Sequence, residues 1–117
     1  MSVTQNHFKS KADSNDFVDY DLEVISGEPR GGVHWLRDQS GGDGVLFTGL
    51  FRAEPSVFAY EFSGDESFHV IDGEIQIELD SGERVDLRAG DIASFPKGAK
   101  STWTVKKPFR KFFVISG

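Results

Sequence analysis

The chain has 117 residues, enough for one domain with its own core, and its formal net charge is −6. It has no cysteine, which excludes disulfides, thiolate nucleophiles and Cys-based zinc sites. The acidic balance argues against a nucleic-acid partner, and no window reaches the about 20 apolar residues of a membrane span.

The start, MSVTQNHFKSKADSNDF, is polar and lacks the apolar stretch of a signal peptide. A cytoplasmic protein is expected. Residues 1–16 read as an arm, flexible or ordered by a partner, and residues 17–117 as a single β-domain. Eleven Phe, two Trp and two Tyr beside thirteen Gly predict many strands and turns. In chain order, strands are expected around Leu22–Ile25, at Val33–Asp38, at Val45–Pro55 with a bend or bulge at Gly49, and at Ser56–Phe62. ESFHVIDGEIQIEL, Glu66 to Leu79, reads as two strands hinged at Asp72-Gly73, because Ile75, Ile77 and Leu79 alternate with polar residues after the glycine. DSGE, Asp80 to Glu83, is a hairpin turn. RVDLRAGD, IASFPKGAK, and a last pair broken at Pro108 complete the chain. No segment has convincing helical periodicity, so about nine or ten short strands argue for a sandwich or barrel.

From Val45 to Ser116 the chain resembles the cupin superfamily. Glu66 and Gly73 keep the Glu-x6-Gly spacing of the first cupin motif. Gly90, Pro96 and Gly98 keep the Gly-x5-Pro-x-Gly spacing of the second. GLFRAEPSVFAYEF and the C-terminal TWTVKKPFRKFFVIS are similar to the small cupins related to ureidoglycine aminohydrolase. The resemblance implies an all-β, single-domain jelly-roll barrel (a double-stranded β-helix), commonly a homodimer.

A cupin metal site uses about three histidines and one carboxylate. Counted back from Glu66, the two histidine positions fall on Tyr60 and Phe62, or on Ala59 and Glu61 if the spacer is one longer. The third falls on Ser101, and the asparagine position on Val105. Only Glu66 remains of the usual set, so no metal and no cofactor are expected. Whether Glu61 and Glu66 together hold a weakly bound cation stays open. His69, three residues after Glu66, points to the other face of a strand. His34 lies outside both motifs, and Trp35 is expected on the outside of the barrel or at a dimer contact.

A carboxylate buried without a partner would take up a proton, and Lys111 is the expected cation. In the related cupins a lysine following an arginine on the last strand faces the pocket, and Arg110-Lys111 matches. Alternation then turns Phe113 and Ile115 inward, and Ser101, Trp103 and Val105 together. The candidate ligand pocket is Tyr60, Glu66, Ser101, Trp103 and Lys111. The competing readings are a solvated Lys111, a Trp103 that is simply core, and a Tyr60 that is a core or edge aromatic. No catalytic residue is assigned.

The leading expectation is a metal-free cupin that binds a small polar or carboxylate-bearing ligand in its lumen. Alternatives are a metal-dependent C–N hydrolase resembling ureidoglycine aminohydrolase, and a structural homodimer with no ligand. Metal-free isomerase or epimerase chemistry would want a lumen histidine, and none is placed there.

Overall fold

The computed structural model describes residues 7–41 and 44–117; the first six residues of the expected arm and positions 42–43 of the QSGGDG turn lie outside the described residues. Among the described residues there are nine strands and no helix. These are β1 (Val18–Asp19), β2 (Glu23–Gly27), β3 (Gly32–Gly41), β4 (Gly44–Ala53), β5 (Ser56–Glu61), β6 (Asp65–Leu79), β7 (Arg84–Arg88), β8 (Ile92–Phe95) and β9 (Lys100–Ser116). They form one sheet in the order β1-β3-β4-β9-β5-β2, with β6 pairing β9, β7 and β8. The sheet curls into an all-β jelly-roll barrel, as the resemblance implies.

Two expectations about strand boundaries are corrected. Glu66 to Leu79 is not two hinged strands but part of one fifteen-residue strand, β6. The last pair, expected to break at Pro108, is one seventeen-residue strand, β9. Gly73 does have positive φ, at 93°, but the chain bulges there instead of reversing. The β6–β9 register shifts between Val70 and Asp72 and again between Asp72 and Glu74. A bulge bends a strand while pairing resumes beyond it, so alternating residues on either side of a glycine do not require two strands. A Cβ on Gly73 would lie 2.2 Å from the Pro108 carbonyl oxygen, so both the backbone conformation and the close approach call for glycine. Pro108 lies at the same corner, where a missing N–H leaves no ladder bond unmade.

Gly49 similarly marks a close approach. The bulge is on the neighbouring strand, between Trp35 and Arg37 of β3, and a Cβ on Gly49 would sit 2.3 Å from the His34 carbonyl oxygen.

Strand alternation separates the two faces. Along β6, Glu66, Phe68 and Val70 are buried while Ser67 and His69 are exposed. Phe58, Phe62, Phe68, Phe95, Trp103 and Phe109 are among the buried residues that fill the interior, with Phe62 and Phe95 stacked at 4.6 Å. Burying each such side chain contributes about 1.5–3 kcal/mol.

The described part of the arm lies against the outside of the barrel. Arg110 donates to the Ala12 and Ser14 carbonyls at 3.1 and 2.5 Å. His34 donates through Nδ1 to the Asp16 carbonyl at 2.8 Å, and its Nε2 pairs with the Ser10 hydroxyl at 2.7 Å. Phe17 lies beneath the guanidiniums of Arg52 and Arg110. No helix among the described residues is long and apolar enough to cross a membrane.

Candidate lumen site

Four polar or charged residues are buried among those described: Ser56, Glu66, Ser101 and Lys111. Two of them, Glu66 and Lys111, meet inside the barrel, and Ser101 lies behind Tyr60 and Trp103 beside them. β6 delivers Glu66 and β9 delivers Lys111, and both are almost completely buried, at 1% and 3% exposure. The Lys111 ammonium donates to Glu66 Oε2 in a very close ion pair. The other carboxylate oxygen, Oε1, accepts from the Tyr60 hydroxyl at 2.6 Å. The carboxylate therefore bridges an ammonium and a phenol, both charge-assisted contacts.

Ser101 and Trp103 form the adjoining wall. The Ser101 hydroxyl donates to the Tyr60 carbonyl at 2.7 Å and accepts from the Trp103 indole N–H at 2.9 Å. This chain fixes the strand that carries Tyr60 and orients the indole. Of the five sequence-predicted pocket residues, Tyr60, Glu66, Trp103 and Lys111 line one cavity, while Ser101 does not line it and touches it only through Tyr60 and Trp103. Phe113 and Ile115 turn inward with Lys111, while Arg110 turns out to the arm, as alternation predicts.

Around the Lys111 ammonium the aromatic rings are dense. Phe68 and Trp103 have their centroids at 4.4 and 4.6 Å from Nζ, and Phe51, Phe113 and Tyr60 follow at 5.2, 5.6 and 5.7 Å. Cation–π attraction offsets part of the cost of burying the charge. Burial pushes the Lys111 amine below its ordinary value, and the Glu66 carboxylate pulls the other way. The Tyr60 hydroxyl is pushed far up, first by burial and then by Glu66. Tyr20 is pushed up for the same two reasons.

A cavity of about 40 Å³ lies against Lys111, Glu66 and Tyr60. At about 10–15 Å³ per water, this is room for roughly three water-sized groups. Its outer end is lined by Tyr20 and Trp35, each 39% exposed. The position of Trp35 is a correction. Of the two expected places, the outside of the barrel or a dimer contact, the first is wrong: Trp35 lines the lumen mouth and packs against Phe47 and Phe113 at 5.7 and 5.9 Å. Alternation alone cannot say which face of an isolated strand is inner; pairing of β3 with β4 decides it. Tyr20 and the rings of Phe51 and Phe68 were not singled out by the sequence. Phe68 was accessible by alternation from Glu66, whereas Tyr20 sits in an irregular segment with no such signal.

The donor set does not fit a transition metal. Tyr60 and Phe62 occupy the inward register, Glu61 is exposed, and Ser101 already holds two hydrogen bonds. Among the described residues no three His, Cys, Asp or Glu side chains gather. An N/O metal site wants several imidazoles or carboxylates, and Glu66 alone is already engaged on both oxygens. His69 is exposed on the outer face.

Residues 40–113 match the family model described as the EutQ-like cupin domain. Among solved structures, the EutQ protein of Clostridium difficile is 26% identical, with a TM-score of 0.58 over 73% of this chain and 68% of that one. A protein of unknown function from Pseudomonas syringae pv. tomato superposes with a TM-score of 0.77 at 19% identity, over 90% of this chain and 46% of that one. An acetylacetone dioxygenase from Acinetobacter johnsonii superposes with a TM-score of 0.70 at 14% identity, over 98% and 76%. The last two likenesses are of fold alone. No curated protein matches the chain.

Proposed function

The chain belongs to the EutQ-like cupin family, and we propose that it is a cytoplasmic, metal-free cupin that binds one small molecule in its barrel lumen. The observation that carries this reading is the Glu66–Lys111 pair. It stands where a cupin would hold its metal, beside a cavity, with Tyr60 on the second carboxylate oxygen. The size of the cavity restricts the ligand to a few heavy atoms. Because Lys111 is already neutralised by Glu66, a small polar ligand suits the site better than one bearing a carboxylate.

The proposed kinship is with the small cupins related to ureidoglycine aminohydrolase, on the Arg110-Lys111 pattern and the position of Trp103. The metal-dependent C–N hydrolysis of that enzyme is disfavoured by the donor set described above. A thermal-shift screen with small alcohols, amides, amines, carbonyl compounds and carboxylates tests the reading, together with metal analysis of the purified protein. A ligand should raise the melting temperature of wild type and not of Lys111→Met. Stoichiometric manganese with ammonia release from ureidoglycine would overturn it.

A second reading, pairing of two copies, is favoured by the outer sheet face. Ile92 is 79% exposed there, beside Phe112 and Val114, and Ile71 continues the surface toward the arm. A patch of this kind on an otherwise acidic chain suits a second copy, which would meet no like charge on it. Sizing chromatography with light scattering should give a dimer that Ile92→Glu weakens; a monomer at every concentration would contradict it.

A further inference from the structure

The geometry points to Lys111 as a nucleophilic amine that captures a small neutral aldehyde or ketone as an imine, with Glu66 and Tyr60 moving the protons. This rests on the reading of the lumen as a ligand site and names the ligand class. Three observations converge on it. Lys111 lies in the lumen and not on the surface, yet it lines the cavity that leads out past Tyr20 and Trp35. Among the described residues its ammonium has one oxygen acceptor, Glu66, and faces aromatic rings. Near-complete burial disfavours the charged form more than Glu66 and the rings favour it, and so favours the amine that carbonyl chemistry requires. Finally, an acid–base pair is already assembled: the carboxylate that touches Nζ also holds the Tyr60 hydroxyl at 2.6 Å.

The step balances without any oxidant or reductant. The Nζ proton passes to Glu66, the nitrogen lone pair forms a C–N bond to the carbonyl carbon, and the carbonyl π pair moves to oxygen. Tyr60 donates a proton to that oxygen and regains one from the Glu66 carboxyl. In the resulting carbinolamine, the second proton on nitrogen returns through Glu66 to the hydroxyl. The C–O bond breaks, C=N forms, and one water leaves. The overall change is ammonium plus carbonyl to protonated imine plus water, with Glu66 returned to carboxylate and Tyr60 to phenol. Aromatic walls limit the return of that water. The cavity holds roughly three water-sized groups, which limits the partner to a compound such as acetone or propanal. An anion would be repelled by Glu66, since the lumen cation is already paired.

The test is reductive trapping. Wild-type protein is incubated with acetone at neutral pH, reduced with borohydride, and mapped by peptide mass spectrometry. A single adduct at Lys111 is expected, with the exposed Lys97 and Lys100 unmodified at the same concentration. The Glu66→Leu/Lys111→Met double variant, which removes both charges together, should give no adduct. Adducts confined to surface lysines would overturn the inference. Thermal shift with 2-propanol and acetamide, which match acetone in size but form no imine, separates the two levels. Stabilisation by all three without trapping overturns the imine and leaves the ligand site standing. No stabilisation by any of them, with no trapping, overturns both.

Discussion

The β6–β9 pair has two different interiors on either side of the Gly73–Pro108 corner. Before the corner, β6 presents Glu66, Phe68 and Val70 to Ile115, Phe113 and Lys111 of β9. Beyond it, Ile75, Ile77 and Leu79 face Val105, Trp103 and Ser101. Both halves follow the same alternation and both are buried save for the half-buried Leu79 and Ile115. In the second half stability follows apolar burial, at about 25 cal/mol per Å². In the first it depends on two charges remaining together, because a buried pair gains little over apolar residues of equal volume, yet either charge alone is costly. The charged half is thus poorly explained as a stability device, which is why a chemical role for it is worth testing.

The comparison is broken most directly by removing one charge. Lys111→Met leaves Glu66 buried without its cation and should cost about 3–5 kcal/mol in denaturant unfolding. The double variant Glu66→Leu/Lys111→Met should recover most of that loss or exceed wild type. A double variant as unstable as the single would mean that the pair contributes net stability and that the contrast between the halves is wrong. In the apolar half, Ile77→Ala should cost about 3 kcal/mol through lost burial and the cavity left behind. No second substitution of charge should restore it.

Much of this contrast was legible in the sequence, and the reasons differ by residue. Glu66 and Lys111 were recoverable because the cupin spacing marked one and the Arg110-Lys111 likeness to related cupins marked the other, from which alternation placed Phe113 and Ile115. Ser101 and Trp103 followed because residues two apart share a face. The continuity of β6 and β9 was not legible. Glycine at positive φ serves a turn and a bulge equally well, and only the opposing Lys107 and Pro108 carbonyls distinguish them. Trp35 was misplaced because β3 reads similarly on both faces. The aromatic cage around Lys111 draws on β4, β5, β6 and β9, and no local pattern reports such a convergence.

A smaller effect sharpens the charged half. Tyr60→Phe removes a hydrogen bond to the carboxylate and should cost about 2 kcal/mol. It should also alter the alkaline limb of stability. An unfolded tyrosine loses its proton near its ordinary value of 10.0, while folded Tyr60 holds it to much higher pH. The stability Tyr60 contributes is therefore fully present below pH 10.0 and declines as pH rises above it. Lys111 has the opposite sign. Its folded value is lowered, so its contribution grows with pH up to the ordinary 10.5 and then stops changing. Unfolding free energies measured above pH 10.5 should fall with pH in wild type and fall less steeply in Tyr60→Phe. Equal slopes would remove Tyr60 from the buried network.

The smallest expected effect tests where the two halves meet. Ser101 lies on the apolar side of the corner, paired with Leu79, yet its hydroxyl joins the Trp103 indole to the Tyr60 backbone. Ser101→Ala leaves the indole N–H without that acceptor and should cost about 1 kcal/mol. If the loss comes from the orphaned N–H, then Trp103→Phe should couple to it: the double variant should be less destabilised than the sum of the singles by about 0.5–1 kcal/mol. Strict additivity would make Ser101 a filler of the vacant histidine position, with no part in holding Tyr60 toward Glu66.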